Sequence, residues 1–176
     1  MATDVIERRI ANLARICDLN DDGVIERSDF EMWINRLALI RRWEKGAEGY
    51  ERLASILLGT FEGVQKAACA EDGRVDIPTM SRLLAASQNL LTSPHRWGEA
   101  LFELIDADSD GVIGLEDYRN LLATLYIQAE VADEAFARLD GDGDGRLSRD
   151  EFHLLHVEFF TNNDPEAPGS WLWGPF

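Results

Sequence analysis

Basic residues are scarce in this 176-residue chain: 17 Lys and Arg stand against 33 Asp and Glu, a formal net charge of −16. Such a field repels phosphate backbones and anionic lipid, so nucleic acid and membrane are not expected partners. Cysteine is scarcer still, and Cys17 and Cys69 alone make no disulfide framework. No apolar run approaches the ~18 residues that a membrane span needs. The stretch Met1-Ala2-Thr3-Asp4-Val5-Ile6-Glu7 carries acids where an export signal carries basic residues and an apolar run, and Ala2 in place of glycine excludes a myristoyl anchor. A cytoplasmic protein with reduced thiols is therefore expected. With 45% hydrophobic residues the chain is long and apolar enough to bury a core without staples. Its excess of acids makes cations the natural ligands.

What is present is a repeat. Acid-preceded glycines followed two residues later by an aliphatic residue occur at Gly23, Gly73, Gly111 and Gly145, with Ile25, Val75, Ile113 and Leu147 as partners. Helical spacing flanks them. Ile6, Ile10, Leu13 and Cys17 precede the first under an expected Asp4…Glu7 cap, and Phe30, Trp33, Leu37 and Ile40 follow it. Trp97, Leu101, Phe102 and Ile105 precede the third and Tyr118, Leu121, Leu122 and Leu125 follow. Val131, Ala135, Phe136 and Leu139 precede the fourth, with Phe152, Leu155, Phe159 and Phe160 after it. Sustained alternation of period two is missing, so the expected fold is all-α, with strands confined to the aliphatic positions of the loops. Turn residues cluster at Gly46-Ala47-Glu48-Gly49, at Thr92-Ser93-Pro94, and from Asn162 to Ser170. The expected division is 1–92 and 93–161, each a pair of helix-loop-helix units, and 162–176, an aromatic tail laid on both.

The fourth loop runs from Asp140 to Glu151, with acids at positions 1, 3, 5 and 12: Asp140, Asp142, Asp144 and Glu151. Calcium takes 6 to 8 oxygens at flexible geometry, and this spacing wraps three carboxylates round an ion before a bidentate glutamate closes it. Arg146 at position 7 contributes only its carbonyl, and Ser148 at position 9 acts through water. The third loop offers Asp106, Asp108, Asp110, the carbonyl of Val112, and Asp117. The first offers Asp18, Asn20, Asp22, the carbonyl of Val24, Glu26 and Asp29. A shorter aspartate at position 12 predicts weaker calcium binding and better tolerance of octahedral magnesium in these two loops. The second loop has Ala68, Ala70 and Thr79 at positions 1, 3 and 12. It is expected to hold no metal and to persist as a partner, pairing Val75 with Ile25 as Leu147 pairs with Ile113. Each of the three complete loops is followed by an aromatic residue, Phe30, Tyr118 or Phe152, a repetition that acidic surface turns would not produce. Three calcium ions, with magnesium admissible in loops one and three, would carry the net charge from −16 to −10 and stabilise the fold.

Units one, three and four complete with unit two silent, some fifty residues between the first two loops, and an ending Asn163-Asp164-Pro165-Glu166-Ala167-Pro168-Gly169-Ser170-Trp171-Leu172-Trp173-Gly174-Pro175-Phe176 resemble the EF-hand sarcoplasmic calcium-binding proteins, nearest to their bacterial calerythrin branch. The resemblance covers essentially the whole chain; Asp29 and Asp117 depart from it. It implies four EF-hands in two lobes packed face to face, apolar surfaces used internally, and calcium buffering or transport rather than display of a groove to a target. Methionine content agrees: only Met32 and Met80 lie beyond Met1, whereas adaptable sensor grooves are methionine-rich.

Two other functions fit the same loops. One is a calcium sensor whose lobe opens, or whose tail lifts, to engage a protein target not named by the sequence. The other is a calcium-triggered photoprotein of the aequorin kind, which resembles this chain in its active hands; His153, His156, Trp171 and Trp173 stand near the end, but no tyrosine follows Tyr126. No enzymatic activity is expected. His153 and His156 lack a third ligand for a transition metal, His95 reads as a turn residue, and neither cysteine has a paired base.

Overall fold

A computed structural model describes residues 5–86 and 97–175. The cap expected from Asp4, the turn at Thr92-Ser93-Pro94 with the boundary at 92/93, His95 and Phe176 lie outside them. Helices α1 (Val5–Cys17), α2 (Arg27–Ala38), α3 (Glu48–Ala68) and α4 (Ile77–Ala86) form the first two hands, with β1 (Val24–Ile25) and β2 (Val75–Asp76) in their loops. Helices α5 (Glu99–Ile105), α6 (Leu115–Ala123), α7 (Ala129–Leu139) and α8 (Arg149–Thr161), with β3 (Val112–Gly114) and β4 (Arg146–Ser148), form the other two, before a short 3₁₀ turn at Pro168–Trp171. Among the described residues the fold is all-α but for these strands and an isolated bridge between Leu172 and Gly174, in keeping with the missing period-two alternation.

Each pair of hands is joined by an antiparallel bridge centred on position 8, Ile25 opposite Val75 and Ile113 opposite Leu147, all four buried. This unites the loops at one end of each lobe while the helices diverge behind them. The aliphatic partners predicted from the repeat are the ones that pair. The connection from α2 to α3 ends sooner than the turn cluster suggests. Glu48 and Gly49 already belong to α3, capped by Ala47. Gly49 is there for space: a Cβ at this position would lie 2.4 Å from the Trp43 ring.

One apolar core spans both lobes. Trp33 of α2 stands 6.5 Å from Trp97 and 6.2 Å from Trp173 of the tail, and Trp97 stacks at 22° on His156 of α8. The indole N–H of Trp97 donates to Thr60 Oγ1 of α3 at 2.9 Å. At the rim, Arg52 pairs with Glu103 at 2.5 Å.

The tail is fastened to both halves. Arg9 of α1 is 1% exposed. Its Nη1 donates to the carbonyls of Phe159 at 3.2 Å and Asn162 at 2.6 Å, and its Nη2 to Asp164 O and Ser170 Oγ, both at 2.5 Å. The guanidinium thus covers carbonyls at the C-terminus of α8, where helix ends leave acceptors free. Tyr118 Oη donates to Trp171 O at 2.8 Å, and Arg138 lies 4.0 Å over the Trp171 ring. Burial drives the Tyr118 phenol well above the usual tyrosine range. Leu172 and Trp173 are buried.

Candidate metal centres

Three loops repeat one network of hydrogen bonds, built by their sequence. The position 1 aspartates each accept two backbone N–H groups. Asp18 takes Asp22 and Gly23 at 3.3 and 2.8 Å, Asp106 takes Asp110 and Gly111 at 3.1 Å each, and Asp140 takes Gly143 and Gly145 at 3.0 and 2.8 Å. Position 3 accepts from the N–H of position 5 through Asn20, Asp108 and Asp142. Position 5 accepts from position 7, to Asp22, Asp110 and Asp144. The turn needs positive φ at position 6, which glycine supplies in all four loops at 77° to 88°. Position 4 is left-handed as well at Asp21, Ser109 and Gly143.

These bonds gather the carboxylates. Oxygens of Asp106, Asp108 and Asp110 lie within 4.8 Å of one another, as do those of Asp140, Asp142 and Asp144. That span suits oxygens on opposite sides of an ion at 2.3–2.6 Å. The first loop offers a different sign of fit: Asp29, 1% exposed, has a buried Oδ1 with no hydrogen-bond partner among the described residues. A buried carboxylate oxygen left bare is costly unless a cation completes it. The donor set, hard oxygen throughout, fits calcium.

The position 12 residues differ more than their names suggest. In each loop one oxygen accepts the N–H of position 9, at 2.8 Å for Asp29, 3.0 Å for Asp117 and 2.9 Å for Glu151, which caps the outgoing helix. The other oxygen of Asp117 accepts Ala107 N–H at 3.3 Å, whereas that of Asp29 is bare. The two aspartates that the sequence groups together are therefore separated by their surroundings. Asp117 is held above the usual carboxylate range, chiefly by desolvation and further by Asp108 and Asp106, against the two N–H donors. In the metal-free protein this group favours the fold in acid and opposes it as pH rises through its raised pKa; a divalent cation relieves that cost.

The second loop keeps the turn without the ligands. Helix α3 runs on through Ala68, position 1, where the other incoming helices stop one residue short of it. Cys69 takes the left-handed C-cap at φ 53°. Asp72 still accepts Arg74 N–H at 3.1 Å, while Asp76 accepts the N–H of Thr79 at 2.8 Å and its hydroxyl at 3.1 Å, a cap in place of a cradle.

Two residues that composition and motif reading passed over touch the loops. Arg74 of the silent loop reaches Asp22 and Glu26. Arg41, beyond α2, donates to Asp106 O and, at 3.0 Å, to Ser109 Oγ, tying the first lobe to the third loop. The spacing of Arg74 from Val75 was a usable signal; nothing local marks Arg41. His156 is buried among Trp97, Phe152 and Phe160, and His153 lies 3.4 Å from Glu99, so the histidines serve packing and a rim contact. Cys17 is buried and its thiol pushed far up by that burial, with the Asp29 charge adding, which removes it as a nucleophile.

A sequence model of the EF hand matches residues 99–122 and 131–156. The beta chain of a sarcoplasmic calcium-binding protein from Penaeus sp. is 25% identical over 96% of this chain and 95% of its own length. Calerythrin from Saccharopolyspora erythraea is 27% identical over 96% of this chain and 100% of its own. Among solved structures, a Streptomyces coelicolor calcium-binding protein superposes with a TM-score of 0.71 at 24% identity, covering 89% of this chain and 98% of that one.

Proposed function

We propose that the chain is an EF-hand protein that serves as a cytoplasmic calcium buffer or transporter with three sites, a reading supported by the EF-hand model matched in its second half and by its similarity along nearly its whole length to a sarcoplasmic calcium-binding protein and to calerythrin. Site 1 is formed by Asp18, Asn20, Asp22, Val24 O, Glu26 and Asp29. Site 3 is formed by Asp106, Asp108, Asp110, Val112 O and Asp117, and site 4 by Asp140, Asp142, Asp144, Arg146 O and Glu151. Residues 1–92 and 93–161 act as paired lobes, with 162–176 as their common clasp.

The observation that carries the buffering role is where the apolar surface goes. Trp33, Trp97, Phe160 and Trp173 are buried against one another between the lobes, and the large hydrophobics left exposed among the described residues are four: Met32 on α2, Leu39 at the C-cap of that helix, Tyr126 in the turn after α6 with the Arg36 guanidinium over its ring, and Leu154 on α8. A target-binding groove is a broader contiguous apolar patch than these side chains make. The cavity beside Trp33, Trp97 and Phe160 has a volume of about 40 Å³, against roughly 300 Å³ or more for an organic ligand. That argues against a photoprotein's luciferin site.

The test is a calcium titration of the metal-free protein in roughly millimolar magnesium, followed with an apolar-surface dye. Dye fluorescence that falls or stays low as the sites fill supports a buffer; a sharp rise at a defined calcium level would make the protein a sensor that presents the cleft to a target. Site 3 carries a second expectation, since both oxygens of Asp117 are held by backbone N–H groups. Asp117→Glu, with reach for bidentate coordination, is expected to raise calcium affinity there about tenfold and weaken magnesium competition, as read by calcium titration with and without magnesium. Unchanged competition would contradict the role given to Asp117.

A further inference from the structure

The silent hand has a side chain inside its neighbour's site. Pairing at position 8 sets Val24 opposite Asp76 and Ile25 opposite Val75. One step along the same antiparallel register, position 7 of the silent loop, Arg74, faces position 9 of the first loop, Glu26. The side chain follows the register: Arg74 Nη1 is 2.5 Å from Glu26 Oε1, and Nη2 is 3.3 Å from Asp22 Oδ2. Asp22 commits its other oxygen to Val24 N–H at 2.9 Å, so Arg74 holds the oxygen that the backbone leaves open. In the second lobe the same register sets Arg146 opposite Gly114, where no carboxylate stands. None of the ion pairs among the described residues involves Arg146.

We propose that Arg74 is the resident counter-cation of site 1, neutralising Asp22 and Glu26 when no metal is bound and setting how tightly calcium binds there. The proposal rests on loop 1 being a metal site. Its guanidinium is a specificity-determining group acting through two ligands, and it gives the ligandless hand a task besides bridging. Two effects of opposite sign follow. Without metal, the positive charge relieves repulsion among Asp18, Asp22 and Glu26 and steadies the lobe. With metal, it stands within several ångströms of a divalent ion and must yield the Asp22 oxygen. For a side chain 47% exposed, that opposition is expected to weaken binding by roughly three- to tenfold at low salt and to fade as salt rises.

The experiment compares the full chain with Arg74→Gln by calcium calorimetry at low and at about 0.5 M salt, together with thermal melting in chelator. Asp18→Ala identifies the first-loop step. The expected result is tighter binding at site 1 by roughly three- to tenfold at low salt, a difference that shrinks at high salt, unchanged steps at sites 3 and 4, and a lower melting temperature without metal. In a Glu26→Gln background the gain should be smaller, since one of the two contacts is already neutral. Three ions bound with equal or weaker first-loop affinity in Arg74→Gln overturns the proposal alone. Two ions bound by both proteins overturns it together with the assignment of loop 1 as a metal site.

Discussion

Removing calcium from the loaded protein is expected to lower its melting temperature by roughly 15–30 °C. The position 1, 3, 5 and 12 residues of three loops put eleven carboxylates and one amide into tight clusters, with Glu26 beside them at position 9. Oxygens of the first three ligands in loops 3 and 4 already lie within 4.8 Å of one another. Among the described residues, the repulsion without metal is met by backbone N–H groups, by the Ser148 hydroxyl on Glu151 and, in loop 1, by Arg74. A ligand held at about a hundred times its dissociation constant contributes about 2.7 kcal/mol per site, so three sites contribute about 8 kcal/mol. In a chain of this size each kcal/mol moves the midpoint by about 2–4 °C. Differential scanning calorimetry with excess calcium and with chelator measures the shift. A shift under about 5 °C would mean that the loops do not hold the ion tightly enough to buffer it.

Replacing Arg9 is expected to be the most damaging single change outside the loops. The side chain is fully buried and donates to four oxygens on α8 and the tail. Arg9→Met keeps much of the volume and removes the donors, leaving without them the Phe159 carbonyl and the Ser170 hydroxyl of two buried residues, together with the carbonyls of half-buried Asn162 and exposed Asp164. The expected cost is about 3–5 kcal/mol, or roughly 10 °C in melting temperature. A local readout separates this from general damage. Trp173, 4% exposed in the intact protein, should move toward water, shifting tryptophan emission to the red and opening residues 164–170 to proteolysis. Arg9→Lys should recover only part of the loss, because an ammonium cannot reach the same four acceptors in one plane. A protected tail and an unchanged midpoint in Arg9→Met would remove Arg9 from its role as clasp.

Why some of this could be read from sequence and some could not is a matter of range. Loop geometry is local: Asp140 bonds to Gly143 and Gly145 within five residues, and Gly145 has positive φ because the turn demands it. Twelve consecutive residues therefore contain most of their own explanation. Pairing of hands is local in pattern though distant in sequence, since Ile113 and Leu147 each stand two residues after a loop glycine. The clasp has no such pattern. Arg9 lies on α1 in a segment whose apolar spacing hides it, and the carbonyls it donates to stand 150 or more positions away, which no residue type announces. Asp117 and Asp29 show the same limit at short range. They are one residue type at one loop position, yet Asp117 spends its second oxygen on Ala107 N–H while Asp29 keeps a bare oxygen beside buried Cys17. Arg74 lies between these cases. Its contact with Glu26 follows from a register that the repeat already specified, once position 7 is read across the bridge as well as along the loop.

Counting bound ions tests the central claim most directly. Native mass spectrometry of the full chain, with calcium added to the metal-free protein, is expected to show three calcium ions per chain at saturation. Asp18→Ala, Asp106→Ala and Asp140→Ala should each remove one. Two ions in the unaltered protein, insensitive to Asp18→Ala, or a fourth ion requiring a site in the ligandless second loop, would contradict the account.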